Sequence, residues 1–225
     1  MLTLDLLATF AFALVGARVA ADKGLDYGGV AFIAAVASLS GGTLRNVFLG
    51  IRPVWIIDPW IVLSVIAAVL LTLVFRRVTH IGKTLLIMDT FGLAVAAMSG
   101  TQLAYEMDVV WFGAIFLGVI TAVTGGLVRD VLCQLEPVLL HRETIGTSTL
   151  IGASTYVALH GLGFADNVSA IAGGLVVIMT RLISIKFDLH LPKFEKKKRL
   201  YEDSQAIPVG FSYVHRARDS QVARI

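Results

Sequence analysis

Gly41-Gly42-Thr43-Leu44-Arg45-Asn46 recurs 84 residues further on as Gly125-Gly126-Leu127-Val128-Arg129-Asp130. The register extends in both directions without a gap: Asp5 maps onto Asp89, Gly16 onto Gly100, Gly29 onto Gly113, and Pro53-Val54 onto Pro137-Val138. In so apolar a chain, shared Leu and Val carry little information. Shared Asp, Gly, Arg and Pro carry more, because each has a backbone or charge role. A duplication centred on a double glycine inside an apolar helix is the pattern of a membrane transport protein.

Composition identifies the solvent. The 225 residues are 56% hydrophobic with a mean hydropathy of +0.81, more apolar surface than a soluble domain of this size can hide. Nearly half of the 19 basic residues follow residue 185, so the formal charge of +3 belongs mostly to the tail and makes no case for nucleic-acid binding. The lone Cys133 excludes an internal disulfide and a cysteine metal cluster, and reads as a small apolar filler. The first apolar stretch lacks a basic flank and carries Asp5, so it reads as a retained span rather than a cleaved signal.

A helix needs about 20 apolar residues to cross the hydrocarbon. Spans then fall near 4–21, 28–49, 59–75, 84–104, 109–133, 145–160 and 167–184. The expected fold is an all-α membrane protein of seven transmembrane helices. Repeat one covers about 4–78, repeat two about 84–160, and a seventh helix (about 167–184) completes a body of residues 1–185 ahead of a basic cytoplasmic tail, 186–225. Three spans per copy is odd, so the second copy enters from the opposite side and the repeat is inverted. Basic loop residues agree. With Lys193, Lys196, Lys197, Lys198 and Arg199 in the cytoplasm, Arg18, Lys23, Arg76, Arg77, Lys83 and Arg142 also fall inside. Outside lie Arg52 and the acids Glu106, Asp108 and Asp166, which puts the N-terminus outside and the C-terminus inside.

Both glycine pairs lie within spans. Adjacent glycines invite a kink or a local opening of the helix, and opened backbone is tolerated in lipid only against protein or a water-filled cavity. An opening would free carbonyls of residues 37–40 and 121–124 for a cation, with Ser38, Ser40, Thr43, Thr121 and Thr124 supplying hydroxyls at the same depth. The competing reading is close helix packing; the symmetric recurrence, each pair followed three residues later by Arg, favours the break. Arg45 and Arg129 are expensive in a span and require inward partners. Depth within each repeat pairs Arg45 with Asp5 and Arg129 with Asp89, with Asn46 and Asp130 nearby. The alternative is that both arginines snorkel to headgroups.

Two GG-x-x-R-(D/N) motifs on spans two and five of a three-plus-three-plus-one protein resemble the prokaryotic trimeric intracellular cation (TRIC) channels, a duplicated bacterial family also labelled glycine transporter. The resemblance covers residues 1 to about 185. It implies a homotrimer in the inner membrane, with a pore in each protomer along the kinked second and fifth helices, conducting monovalent cations, chiefly potassium, under voltage-dependent gating. Gly41, Gly42, Gly125 and Gly126 become the kinks, lined by the hydroxyls named above. Asn46 departs from the symmetric Asp130. Lys83 is a candidate voltage sensor or an ordinary positive-inside anchor; no cofactor is implied.

Two rivals remain. A carrier for a small zwitterion such as glycine can use the same broken helices, amides for a carboxylate and carbonyls for an ammonium. An intramembrane enzyme is disfavoured, because His80, His141, His160, His190 and His215 all fall at or beyond span ends. Trp55, Trp60 and Trp111 read as an interfacial belt. Lys193–Arg199 reads as a solvated flank or a contact for anionic lipid headgroups. Gly92/Ala96 and Gly113/Leu117/Gly118 are small-residue faces for packing within or between protomers.

Overall fold

The computed structural model describes residues 2–75, 82–135 and 144–187, and among them every regular element is a helix. In chain order these are α1 (Leu2–Asp22), α2 (Tyr27–Phe48), α3 (Val54–Ile57), α4 (Pro59–Val74), α5 (Gly82–Glu106), α6 (Trp111–Leu132), α7 (Thr144–Gly161) and α8 (Asp166–Phe187). Five of them (α1, α2, α5 from Leu85, α6 and α8) are long and apolar enough to cross a bilayer. The sixteen residues of α4 rise about 24 Å, short of the hydrocarbon thickness of about 30 Å. The basic tail, Lys193–Arg199 included, lies outside the described residues, as does the Lys83 side chain.

The helix ends have local causes. Asp26 caps α2 by accepting from Gly29 N–H at 2.7 Å, and Asp58 caps α4 by accepting from Trp60 N–H at 2.9 Å, with Pro59 in the first turn. Left-handed residues end α1 (Gly24, φ 78°), α2 (Gly50, φ 68°), α5 (Asp108, φ 57°) and α6 (Gln134, φ 52°). These positions are repeat mates, 24 with 108 and 50 with 134, and their closing bonds match. Ile51 N–H donates to Asn46 C=O at 2.9 Å and Leu135 N–H to Asp130 C=O at 2.8 Å. The duplication therefore persists in the backbone even where the side chains differ.

α1 packs on α2, α4 and α5, α5 packs on α6, α7 and α8, and α2 packs on α6. Small residues let these backbones approach. Gly16 sits against Ala34 and Ala37, and its mate Gly100 sits against Gly118 and Thr121. α8 is held by Gly152 against Gly173 and Val177, and by Asp166, whose Oδ1 accepts from Tyr156 Oη–H at 3.1 Å and lies 2.8 Å from His160 Nε2. Large apolar side chains such as Phe32, Phe48, Ile57, Phe116 and Ile171 point outward, while Arg45, Arg129, Arg181, Asp89 and Asp130 are buried. Charge inside and hydrocarbon outside is the distribution of an integral membrane protein.

Candidate functional site

The site is built where α2 crosses α6. A Cβ on Gly41 would overlap the carbonyl oxygen of Thr121, and a Cβ on Gly125 would lie 2.7 Å from the carbonyl oxygen of Ala37. Residues 37 and 121 are themselves repeat mates, so the crossing makes the same contact twice. Advancing along α2 from 37 to 41 means retreating along α6 from 125 to 121. The two helices thus run antiparallel through the crossing.

This geometry divides each glycine pair. The first glycine admits a neighbouring backbone; the second faces open space, with nothing within 4 Å of a Cβ on Gly42 and only Arg129 Nη2, at 3.7 Å, near one on Gly126. Both helices run unbroken through their pairs, so the expected opening of the helix is absent and close packing explains Gly41 and Gly125. The hydroxyls also differ from expectation. Ser38, Thr43, Thr121 and Thr124 donate to the carbonyl four residues back at 2.6–2.7 Å, and Ser40 donates to Ala37 at 3.2 Å. Such bonds satisfy the donor and leave an oxygen lone pair facing away from the helix.

The arginines lie beside this crossing. Arg45 is 0% exposed, and its guanidinium forms a fork on Asp5, with Nη1–Oδ1 at 2.9 Å and Nη2–Oδ2 at 3.1 Å. Its Nε donates to Asn46 Oδ1 at 2.8 Å. The second copy repeats the plan: Arg129 Nη1 donates to Asp89 Oδ1 at 2.7 Å and Nε to Asp130 Oδ1 at 2.9 Å. Both guanidiniums are turned into the helix bundle, which excludes snorkelling. Burying a charge in lipid is tolerable only with this kind of compensation.

Three further features were not anticipated, and of these only Arg181, an arginine inside the expected seventh span, carries a sequence signal. Ser99 on α5 bridges the first ion pair, accepting from Arg45 Nη1 at 2.8 Å and donating to Asp5 Oδ1 at 2.5 Å. Its repeat mate is Val15, which can do neither, so the bridge breaks the symmetry. Trp55 on α3 is not merely an interfacial residue: its indole N–H donates to Thr43 Oγ1 at 3.0 Å. Arg181 on α8 is a third buried arginine, 1% exposed.

Under Trp55 lies a cavity of about 40 Å³, lined by Asp5, Thr9, Phe12, Ser38, Gly42, Thr43, Arg45 and Gly125 among others. At about 10–15 Å³ per probe-sized water, it has room for about three. A carboxylate, hydroxyl oxygens and glycines are among its lining groups. The guanidinium entering the same space is already neutralised by Asp5. The carboxylate and the guanidinium in this lining are paired with each other, so the charges cancel and the hydroxyl oxygens of Thr9, Ser38, Thr43 and Thr121 are the polar groups left beside them.

Comparison with known proteins places the chain. A family model described as glycine transporter matches residues 2–77 and again 86–161. The UPF0126 membrane protein of Vibrio cholerae is 32% identical over 200 residues, covering 87% of this chain and 83% of the relative. The UPF0126 inner membrane protein YadS of Escherichia coli K12 is 31% identical over 195 residues, covering 85% and 94%. The crystal structure of the TRIC trimeric intracellular cation channel orthologue from Rhodobacter sphaeroides superposes with a TM-score of 0.80 at 32% identity, covering 84% of this chain and 98% of that one. The chain belongs to the prokaryotic TRIC channel family, the duplicated membrane family whose matching model is described as glycine transporter.

Proposed function

We propose that the protein is a channel for monovalent cations, potassium above all, with one pore inside each protomer of a homotrimer, and that it is not an enzyme. The observation that carries this reading is the cavity beside the α2–α6 crossing, lined by a carboxylate and hydroxyl oxygens, within a fold shared with a TRIC cation channel at 32% identity. Permeation follows the glycine faces. Gly42 and Gly126 leave open space on either side of the crossing, while Gly41 and Gly125 hold the two helices together at its centre. Ser38, Ser40, Thr43, Thr121 and Thr124 present oxygens along the route.

The antiparallel crossing supports an inverted repeat, with α1, α2 and α4 as one copy and α5, α6 and α7 as the other. In this reading α4 and α7 complete seven spans with α8, and the local bilayer thins to accommodate the shorter helices. The bias of the basic loop residues supports an N-terminus outside the cell membrane and a cytoplasmic tail, residues 186–225, as a solvated flank or a contact for anionic headgroups. Gating is voltage-dependent, with Arg45, Arg129 and Lys83 as the charges available, each worth about 2.3 kcal/mol per 100 mV fully traversed.

The test is conduction by purified protein in a planar bilayer under a potassium gradient. Discrete current steps reversing near the potassium equilibrium potential support the channel. The second reading, a carrier for a small zwitterion, is favoured by the description of the matching family model as glycine transporter. Saturable, gradient-coupled glycine uptake into liposomes in the absence of current steps would establish it instead.

A further inference from the structure

The departure of Asn46 from Asp130 has a physical reason in the structure. Asn46 is buried (1% exposed) and bonds in two directions. Its Oδ1 accepts from Arg45 Nε at 2.8 Å, as a carboxylate also could. Its Nδ2 donates to the backbone carbonyl of Arg52 at 2.9 Å, which a carboxylate could not do. Arg52 lies in the short link from α2 to α3, and α3 carries Trp55 over the cavity. The indole then returns to α2 through Thr43, at 3.0 Å. A continuous chain of bonds therefore runs from Asp5 through Arg45, Asn46 and the Arg52 carbonyl to α3, and closes on the helix it left.

We propose that Trp55 is a latch over the α3 mouth of the cavity, and that Asn46 is the positioning residue that ties its release to the Arg45–Asp5 pair. The inference rests on the channel reading for its electrical consequence, and on geometry alone for its mechanical one. Four observations agree. Trp55 and Val54 line the same cavity as Asp5, Gly42 and Arg45. α3 has only four residues and, among the described residues, packs on the helices α2 and α4 alone, so few contacts oppose its lifting. The link that leads into it is held by the Asn46 side chain, at the Arg52 carbonyl. Finally, Trp55 is 38% exposed, yet its indole N–H is turned to Thr43. A movement of Arg45 toward or away from Asp5 pulls on Asn46, and through it on the roof.

The test separates latch from channel. Trp55→Phe keeps the ring and removes the N–H; Asn46→Asp keeps the shape and removes the donor to Arg52. Each is expected to raise the ratio of open to closed time about fivefold, the equilibrium shift of one net hydrogen bond, with unitary conductance unchanged. Trp60→Phe, on the exposed start of α4, is the control and should gate as the parent. Independently of current, a protein with Trp60→Phe and Trp111→Phe retains Trp55 as the one indole. Adding Asn46→Asp should shift its emission to the red as the indole leaves Thr43 for water. If the parent passes no current, the channel reading fails and the emission shift still decides the latch. Gating and emission both unchanged in Asn46→Asp would overturn the proposal, as would a fall in unitary conductance with no change in open time in Trp55→Phe.

Discussion

Alanine at position 125 and alanine at position 126 are the same chemical change at adjacent residues of one helix, yet the crossing predicts different outcomes. At 125 the added methyl lies 2.7 Å from the Ala37 carbonyl oxygen, and ordinary contact begins at 3.4 Å, so α2 and α6 must part by about 0.7 Å. The atom in the way is backbone, and Gly41 fixes the same helix pair one turn away, so local repacking cannot relieve the overlap. Forcing an extra methyl into a packed interface costs about 1–3 kcal/mol. Replacing a helical glycine by alanine returns about 1 kcal/mol at either position, so this contribution cancels between the two variants. Their difference isolates the crossing, at about 1–3 kcal/mol. For a domain of this size, about 2–4 °C in Tm per kcal/mol separates Gly125→Ala from Gly126→Ala by about 2–12 °C, the former lower. Thermal unfolding in detergent, followed by circular dichroism, reads the gap. Equal Tm values, or a lower value for Gly126→Ala, would refute the assignment of the first glycine to packing and the second to open space.

Other expectations follow from the same geometry. Arg45→Met leaves the partly buried Asp5 carboxylate without its cation, with the Ser99 hydroxyl still donating to it, and should lower stability by about 3 kcal/mol; adding Asp5→Leu should recover most of that loss, and a double-mutant cycle by denaturant unfolding checks it. Ser99→Ala leaves the Arg45–Asp5 fork in place and should cost only about 1–2 kcal/mol, measured in the same assay. Gly42→Leu extends a side chain into the cavity of about 40 Å³ and should reduce unitary conductance severalfold while leaving Tm near the parent value, as planar bilayer recording would show.

Sequence and structure meet unevenly, and the reasons are physical. Helices were legible because an apolar run in lipid has only one way to satisfy its backbone; the long helices lie within a few residues of the expected spans. The Arg45–Asp5 and Arg129–Asp89 contacts were legible because the repeat sets the depth of each charge, and an intramembrane arginine must find a partner. Gly41 was harder. A glycine that bends a helix and one that admits another backbone look identical in one dimension, and only the approach of Thr121 distinguishes them. The Ser99 bridge joins residues 94 apart and sits opposite Val15 in the repeat register, so the duplication itself hid it. Trp55 looked interfacial because nothing in the sequence announces a four-residue helix that turns an indole back onto Thr43. The 84-residue register marks Asn46 as the exception, but its reason, a donor to the Arg52 carbonyl, appears only in three dimensions.

The central claim is that the space beside the α2–α6 crossing conducts cations. Single-channel recording of the purified protein in a planar bilayer, under a potassium chloride gradient, tests it most directly. The account predicts discrete, voltage-dependent steps that reverse near the potassium equilibrium potential and shrink in Gly42→Leu. A silent bilayer from folded protein, or steps reversing at the chloride potential, would contradict it.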